Sequence, residues 1–259
     1  GNLKNGLMQE GSLRFLLGKY DAELFINGYI YTIQKGILPL LNIEPNIHIL
    51  DCTDLEVNFK NSNYEMSGIS HSKRDNKLTR GYKLATLRGI VKDVGLIEDI
   101  RFGSIQTHDL NLSEEMVRTS PVLKPGDILI NDRGFMSREL MNFLKVERNV
   151  DTYIPLRKNM VAYQQAILSA KEQNIWKPHP NFKRKNQVIS LVEGMGMYWN
   201  SDTPENDVPI NTCVVWDKQF DNYFVFITTD ITKSAKEIVS IYELRPEIEE
   251  DYRQLKDFW

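Results

Sequence analysis

The sequence predicts an α/β fold: a mixed sheet flanked by helices, with a β-rich insertion before the last helix. Short β-like runs alternate with helical-period segments from Asp127 to Glu172, the pattern of a sheet covered by helices. Proline-punctuated β-like runs fill Lys177 to Phe226, and a helical pattern closes the chain from Thr232.

The 259 residues suffice for one large domain or two small ones, burying roughly three quarters of the unfolded surface. With 41% apolar and 26% charged residues, neither a disordered chain nor a coiled-coil rod fits. No apolar run has the length of a membrane span or the flanks of a secretory signal, so a cytoplasmic protein without membrane contact is expected. Cys52 and Cys213 lack any CxxC or histidine partner and read as small buried residues. The net charge of −3 leaves any nucleic-acid contact to local patches. Gly1 in place of Met, and a helical pattern running to Trp259, read as a fragment of something longer.

In order, residues 1–45 read as a helical N-terminal remnant. Asn46 to Phe59, Gly81 to Val91 and Leu96 to Ile105 read as strands able to form a meander. A helix around Ser113 to Thr119 has Ser113 as cap, with Glu114 and Glu115 suiting its dipole. Asp127 to Asn131 is a strand, Ser137 to Lys145 a helix, Thr152 to Leu156 a strand and Val161 to Glu172 a helix. Val188 to Val192, Thr212 to Trp216 and Tyr223 to Ile227 are short strands, and Thr232 is placed to cap the final helix. The implied division is a core of 46–174 and 222–259 with an insertion at 175–221.

Three carboxylates sit where a fold holds them rigidly. Asp51 lies amid apolar strand neighbours, costly unless paired or bound to a metal. Asp132 follows Ile128-Leu129-Ile130-Asn131, at the kind of strand end where open α/β sheets place their chemistry. Glu249 follows Tyr242 and Arg245 and precedes Lys256, spacings that on one helix fall within roughly 60° of arc. Pro246 interrupts that helix and leaves the wheel secure only for Glu249 and Lys256. Three hard oxygen donors without His or Cys suit Mg²⁺ or Mn²⁺, two of which activate a nucleophile and stabilise the leaving oxygen of a phosphodiester. Among 35 acidic residues, any one taken alone is most often a solvated surface charge.

Residues 242–256 read Tyr-x2-Arg-x3-Glu-x6-Lys. This resembles the DDE transposases of bacterial insertion sequences, specifically the insertion-sequence-four group. Leu50-Asp51-Cys52-Thr53 is similar to that family's Asp-Gly-Thr strand, and Asp132-Arg133-Gly134-Phe135 to its Asp-Arg-Gly-aromatic block. The likeness spans about residues 46 to 259. It implies a ribonuclease H-like fold, Asp51, Asp132 and Glu249 as metal-binding catalytic residues, two Mg²⁺ ions, and phosphate contacts by Tyr242, Arg245 and Lys256. It also implies cleavage at transposon ends with strand transfer into target DNA, and a homodimer on DNA. Cys52 departs from the usual Gly, and Asp54 falls on the opposite pleat from Asp51. Phe224 stands where some members use a tryptophan to stack a flipped base.

Between His71 and Lys92 seven basic residues, Lys73, Arg74, Lys77, Arg80, Lys83, Arg88 and Lys92, face one acid, Asp75. A second patch holds Lys177, Lys183, Arg184 and Lys185. Both suit a phosphate backbone, and equally a solvated loop. Trp176, Trp199 and Trp216 read as core packing, and His48 as a hydrogen-bonded structural residue. The competing functions are an inactive transposase-derived DNA-binding relic and another ribonuclease H-like nuclease.

Overall fold

The computed structural model describes residues 22–42, 44–58, 60, 67–72, 76–91, 94–195 and 208–258. It opens with α1 (Ala22–Thr32), a π-helical stretch (Ile33–Ile37) and α2 (Leu38–Leu41). Strands β1 (Ile47–Glu56), β2 (Gly68–Ser72), β3 (Lys77–Val91) and β4 (Val94–Ser104) follow, then α3 (Asp109–Thr119), β5 (Ile128–Asn131), α4 (Arg138–Glu147), β6 (Asp151–Pro155) and α5 (Val161–Gln173). The chain continues through β7 (Lys177–Pro178), β8 (Gln187–Val192), β9 (Asn211–Asp217) and β10 (Asn222–Thr228) to α6 (Ala235–Tyr242) and α7 (Glu247–Phe258). Trp199 and residues 1–21 of the N-terminal segment lie outside the described residues.

The described strands form one mixed sheet in the order β2-β3-β1-β5-β6-β10-β9-β8-β7, with β4 also paired to β3. At its centre β1, β5 and β6 run parallel. The expected meander is present, β3 lying antiparallel to both β1 and β4. Strands β10, β9 and β8 of the β-rich stretch are hydrogen-bonded onto β6 and extend the same sheet. The short β2 carries no clean apolar alternation and is not legible in the sequence.

Alternation along β1 sorts the two faces. Leu50 joins Leu129, Leu140, Leu144 and Ala166 in a core under α3, α4 and α5. Ile49 joins Ile130, Tyr153, Ile238, Val239, Ile248 and Tyr252 in a second core under α6 and α7. Each fully buried Leu or Ile contributes about 1.5–3 kcal/mol relative to exposure, so helices on both faces hold the central strands in place. Asp51, two residues after Ile49, points toward the α6–α7 face.

Two caps differ from the sequence reading. Helix α3 begins at Asp109 because the His108 ring accepts the Leu110 N–H at 3.2 Å, while Ser113 is buried inside the helix and donates to the Asp109 carbonyl. Helix α6 starts from Ser234, whose reciprocal bonds with Glu237 form a capping box, whereas the Thr232 hydroxyl is spent on Asp230. The expected start of α4 holds, Ser137 accepting the Leu140 N–H.

At the amino end of β1, His48 is buried between two carboxylates. Its Nε2 is hydrogen-bonded to Asp127 at 3.0 Å, and its Nδ1 lies 3.0 Å from Glu98 in a contact that is ionic rather than well aligned. A Cβ on Gly89 would come within 2.1 Å of the Glu98 carboxylate, so glycine there is what allows Glu98 to reach across β3. Glu98 also accepts from Gln34, and Tyr29 donates to the Ile97 carbonyl, tying the N-terminal helices to the sheet. Burial disfavours the imidazolium, but hydrogen bonds and charge from Asp127 and Glu98 outweigh it and raise the His48 pKa. The folded state therefore holds a proton that the unfolded state releases near pH 6.5. Stability from this contact is complete below that pH and lost as pH rises through the higher folded pKa. Urea denaturation is expected to show this decline, and His48→Gln to flatten it while costing about 3–5 kcal/mol at the acid end, as for a broken buried ion pair.

Candidate active site

Asp51 sits mid-way along β1, in register with Thr86 of β3. Its Oδ1 accepts the Cys52 N–H at 2.8 Å, fixing the carboxylate. Asp132 follows the last residue of β5, the parallel neighbour of β1, and opens a 3-10 turn (Arg133–Phe135) closed by Phe135 N–H on the Asp132 carbonyl and pinned by the buried Phe135 ring. Glu249 lies in the first turn of α7.

The C-terminal helix expected from Thr232 onward is broken at residues 243–246. Pro246 cannot donate a helical bond, and Leu244, Arg245, Ile248 and Glu249 instead donate three residues back at 3.0–3.2 Å. This turn directs Arg245 over the carboxyl ends of the central strands. Its Nη2 lies 2.9 Å from Asp51 and 3.9 Å from Asp132, and its Nη1 lies 3.2 Å from Glu249. One guanidinium thus reaches all three expected carboxylates. Among the described residues no three His, Cys, Asp or Glu side chains stand close enough to hold an ion as they are, and a cationic side chain fills the point where the trio meets.

The electrostatics reflect that crowding. Burial raises the Asp51 pKa, Arg245 and the Cys52 N–H lower it, Asp132 and Glu249 raise it, and the net shift is upward. Burial opposes the Arg245 charge, but the carboxylates around it outweigh burial and raise its pKa further. Tyr242 packs its ring against Phe226 at 4.6 Å, and burial pushes its phenol up.

Helix α7 is anchored beside the trio by contacts not foreseen from sequence. The Tyr252 and Thr86 hydroxyls share a 2.6 Å hydrogen bond, and Asp251 ion-pairs with Arg88 of β3. Thr86 is the register partner of Asp51, so the bond that seats α7 is made next to the carboxylate that Glu249 must meet. The turn itself is held by Glu243, which accepts from Arg184 at 2.6 Å and from the Asn181 amide.

Phe224 and Tyr242 line, with Arg245, a cavity of about 490 Å³ between the β-rich strands and the turn. On the other side Asp132 borders an open groove with Arg133, Arg157 and Lys158. Arg157 and Lys158 were missed by sequence reasoning. Their signal is position: they follow β6, the parallel neighbour of the strand that carries Asp132.

Other expected residues stand apart. Lys256 is exposed two helical turns beyond Glu249. Lys77 is exposed and paired with Glu56, and Arg80 donates to Ser67; they precede Thr86 on β3 by nine and six residues. Lys73, Arg74 and Lys92 lie outside the described residues. Lys83 bonds Asp54 and Asp109, and Arg88 bonds Asp251, so two members of the basic patch are structural. Trp176 and Trp216 pack together at 5.5 Å, both half-buried; Trp176 leans on the core, while Trp216 donates its indole N–H to Asp221 outside it.

A sequence model of the family described as "Transposase DDE domain" matches residues 44–259, and no curated protein matches. The mixed sheet flanked by helices accords with a ribonuclease H-like transposase fold.

Removing the shared counter-charge is expected to expose the repulsion it offsets. Arg245→Met, measured by urea denaturation in EDTA, should cost about 3 kcal/mol, the scale of leaving a buried charge unpaired. In an Asp51→Asn background the same change should cost much less, and equal losses in both backgrounds would dismiss the pairing.

Proposed function

The chain belongs to the transposase DDE domain family, and from that premise we propose a transposase catalytic domain of the insertion-sequence-four group. It cuts DNA at transposon ends and joins the freed 3′-hydroxyl to target DNA. The observation that carries this reading is the gathering of Asp51, Asp132 and Glu249 on one guanidinium, with Tyr242-x2-Arg245-x3-Glu249-x6-Lys256 in one continuous stretch. A surface-charge origin for three residues so far apart in sequence does not account for their meeting.

The donor set fits hard divalent cations. It comprises carboxylate oxygens only, one of them shielded from water and crowded by its neighbours, which suits Mg²⁺ or Mn²⁺ over zinc. Asp51, Asp132 and Glu249 would hold two such ions. When bound, they supply a nucleophile at neutral pH and stabilise the leaving oxygen. The planar fork of Arg245 would suit a phosphate as well as the carboxylates it now contacts. Tyr242, Arg133, Arg157 and Lys158 are positioned to bind phosphates on either side, Lys256 along the strand, and Phe224 to stack a base at the cavity rim. Lys77, Arg80 and, from their sequence positions, Lys73 and Arg74 serve the DNA flank.

The domain division follows from the same reading, with core 46–174 and 222–259 and insertion 175–221. A dimer is expected on DNA, since two ends must be joined. No described helix is long and apolar enough to cross a membrane.

The test is nicking of duplex DNA carrying the element's ends, taken from the sequence flanking the gene, in Mg²⁺. Asp132→Asn and Glu249→Gln are each expected to slow nicking at least about a hundredfold, the scale of losing one electrostatic stabiliser. Calorimetric titration with Mn²⁺ should show weakened binding in both variants. Wild-type nicking rates in either variant refute the assignment, and a wild-type chain that binds metal without nicking favours the DNA-binding relic.

A further inference from the structure

Two loops lie side by side at one end of the added strands, 179–186 between β7 and β8 and 218–221 between β9 and β10. The Lys218 N–H donates to the Asn186 carbonyl at 3.0 Å, and the Asn186 amide donates to Gln219 at 2.6 Å, joining the loops. They frame an open groove of about 460 Å³ lined by Lys183, Arg184 and Lys185, with Asp217 the one acid among its described lining residues.

Asp217 is already committed. It accepts from the Gln187 amide and from the Gln219 and Phe220 N–H groups. Arg184 is taken by Glu243. Among the described residues no acid pairs with Lys183 or Lys185. Beside these cations Phe182 and Phe220, one from each loop, are 76% and 73% exposed. Free ammonium groups next to bare aromatic faces are the combination by which proteins follow a nucleic-acid strand.

Arg184 lines both this groove and the cavity that contains Arg245. The groove therefore adjoins, through Arg184 and its partner Glu243, the cavity that Arg245 lines beside the carboxylate trio. We propose that the loop pair is a second DNA contact, in which Lys183 and Lys185 hold backbone phosphates of the DNA leaving the scissile position and Phe182 and Phe220 lie against its sugars or an unstacked base. This rests on the transposase reading and adds to it the direction in which the DNA runs. An acidic protein surface would meet the same lysines, but the continuity with the cavity beside Arg245 favours DNA.

The test is equilibrium binding of a labelled duplex in EDTA, so that nothing is cut, across about 50 to 200 mM salt. Lys183→Ala with Lys185→Ala is expected to weaken binding severalfold and to reduce the slope of log K against log salt by about 2, one per lost phosphate contact. Phe182→Ala with Phe220→Ala should weaken binding at an unchanged slope. Lys124→Ala, at the amino end of β5 and paired with Glu44, should change neither. Both lysines are exposed, and matching melting temperatures separate a lost contact from a lost fold. A double lysine variant with the wild-type slope overturns the proposal while leaving the transposase reading intact, and so does an equal loss from Lys124→Ala. A wild-type chain that binds no duplex at all overturns that reading and this one together.

Discussion

Three carboxylates brought to one spot repel one another, and the structure depends on how that repulsion is met. Like charges that share one counter-ion in a partly buried site oppose each other more strongly than they would in water. Asp51 cannot escape, because it sits in a central strand covered on both faces. Arg245 offsets the repulsion with one planar cation whose two terminal nitrogens reach separate partners. The strands set the positions of Asp51 and Asp132, and the turn around Pro246 sets the position of the cation.

Placing that turn takes contacts from distant parts of the chain. Tyr252 and Asp251 fasten α7 to β3 at Thr86 and Arg88, and Glu243 is held by Asn181 and Arg184 of the β-rich segment. The added strands therefore do more than widen the sheet, since one of their loops grips the segment between Tyr242 and Arg245. The break at Pro246 separates α6, seated by Ile238 and Val239, from α7, seated by Ile248 and Tyr252, so each helix packs by its own apolar face.

Much of this was legible in the order of residues, for physical reasons that can be named. Period-two alternation placed Asp51 on one face and Asp54 on the other, where Asp54 pairs with Lys83. The strand ending at Asn131 pointed to Asp132, and fixed spacings pointed to Glu249. Pro246 announced the helix break. What stayed hidden depends on partners remote in sequence. Lys83 and Arg88 looked like open cations because Asp109 and Asp251, which neutralise them, lie 26 and 163 residues away. Thr232 and Ser113 have the chemistry of helix caps, but Ser234 with Glu237 makes a two-way bond at α6, and a histidine, outside the usual capping residues, starts α3. Arg245 read as a phosphate ligand, while in the structure its partners are the three carboxylates.

The sheet has an architectural consequence at its β6 side. Strands β10, β9 and β8 attach there by antiparallel pairing, each to the one before, while the Asp-bearing strands lie further in. In-frame duplication or loss of a hairpin at that margin would alter the reach of the molecule without shifting the inner strands. Such a change would be tolerated only if a loop remained there to clasp Glu243.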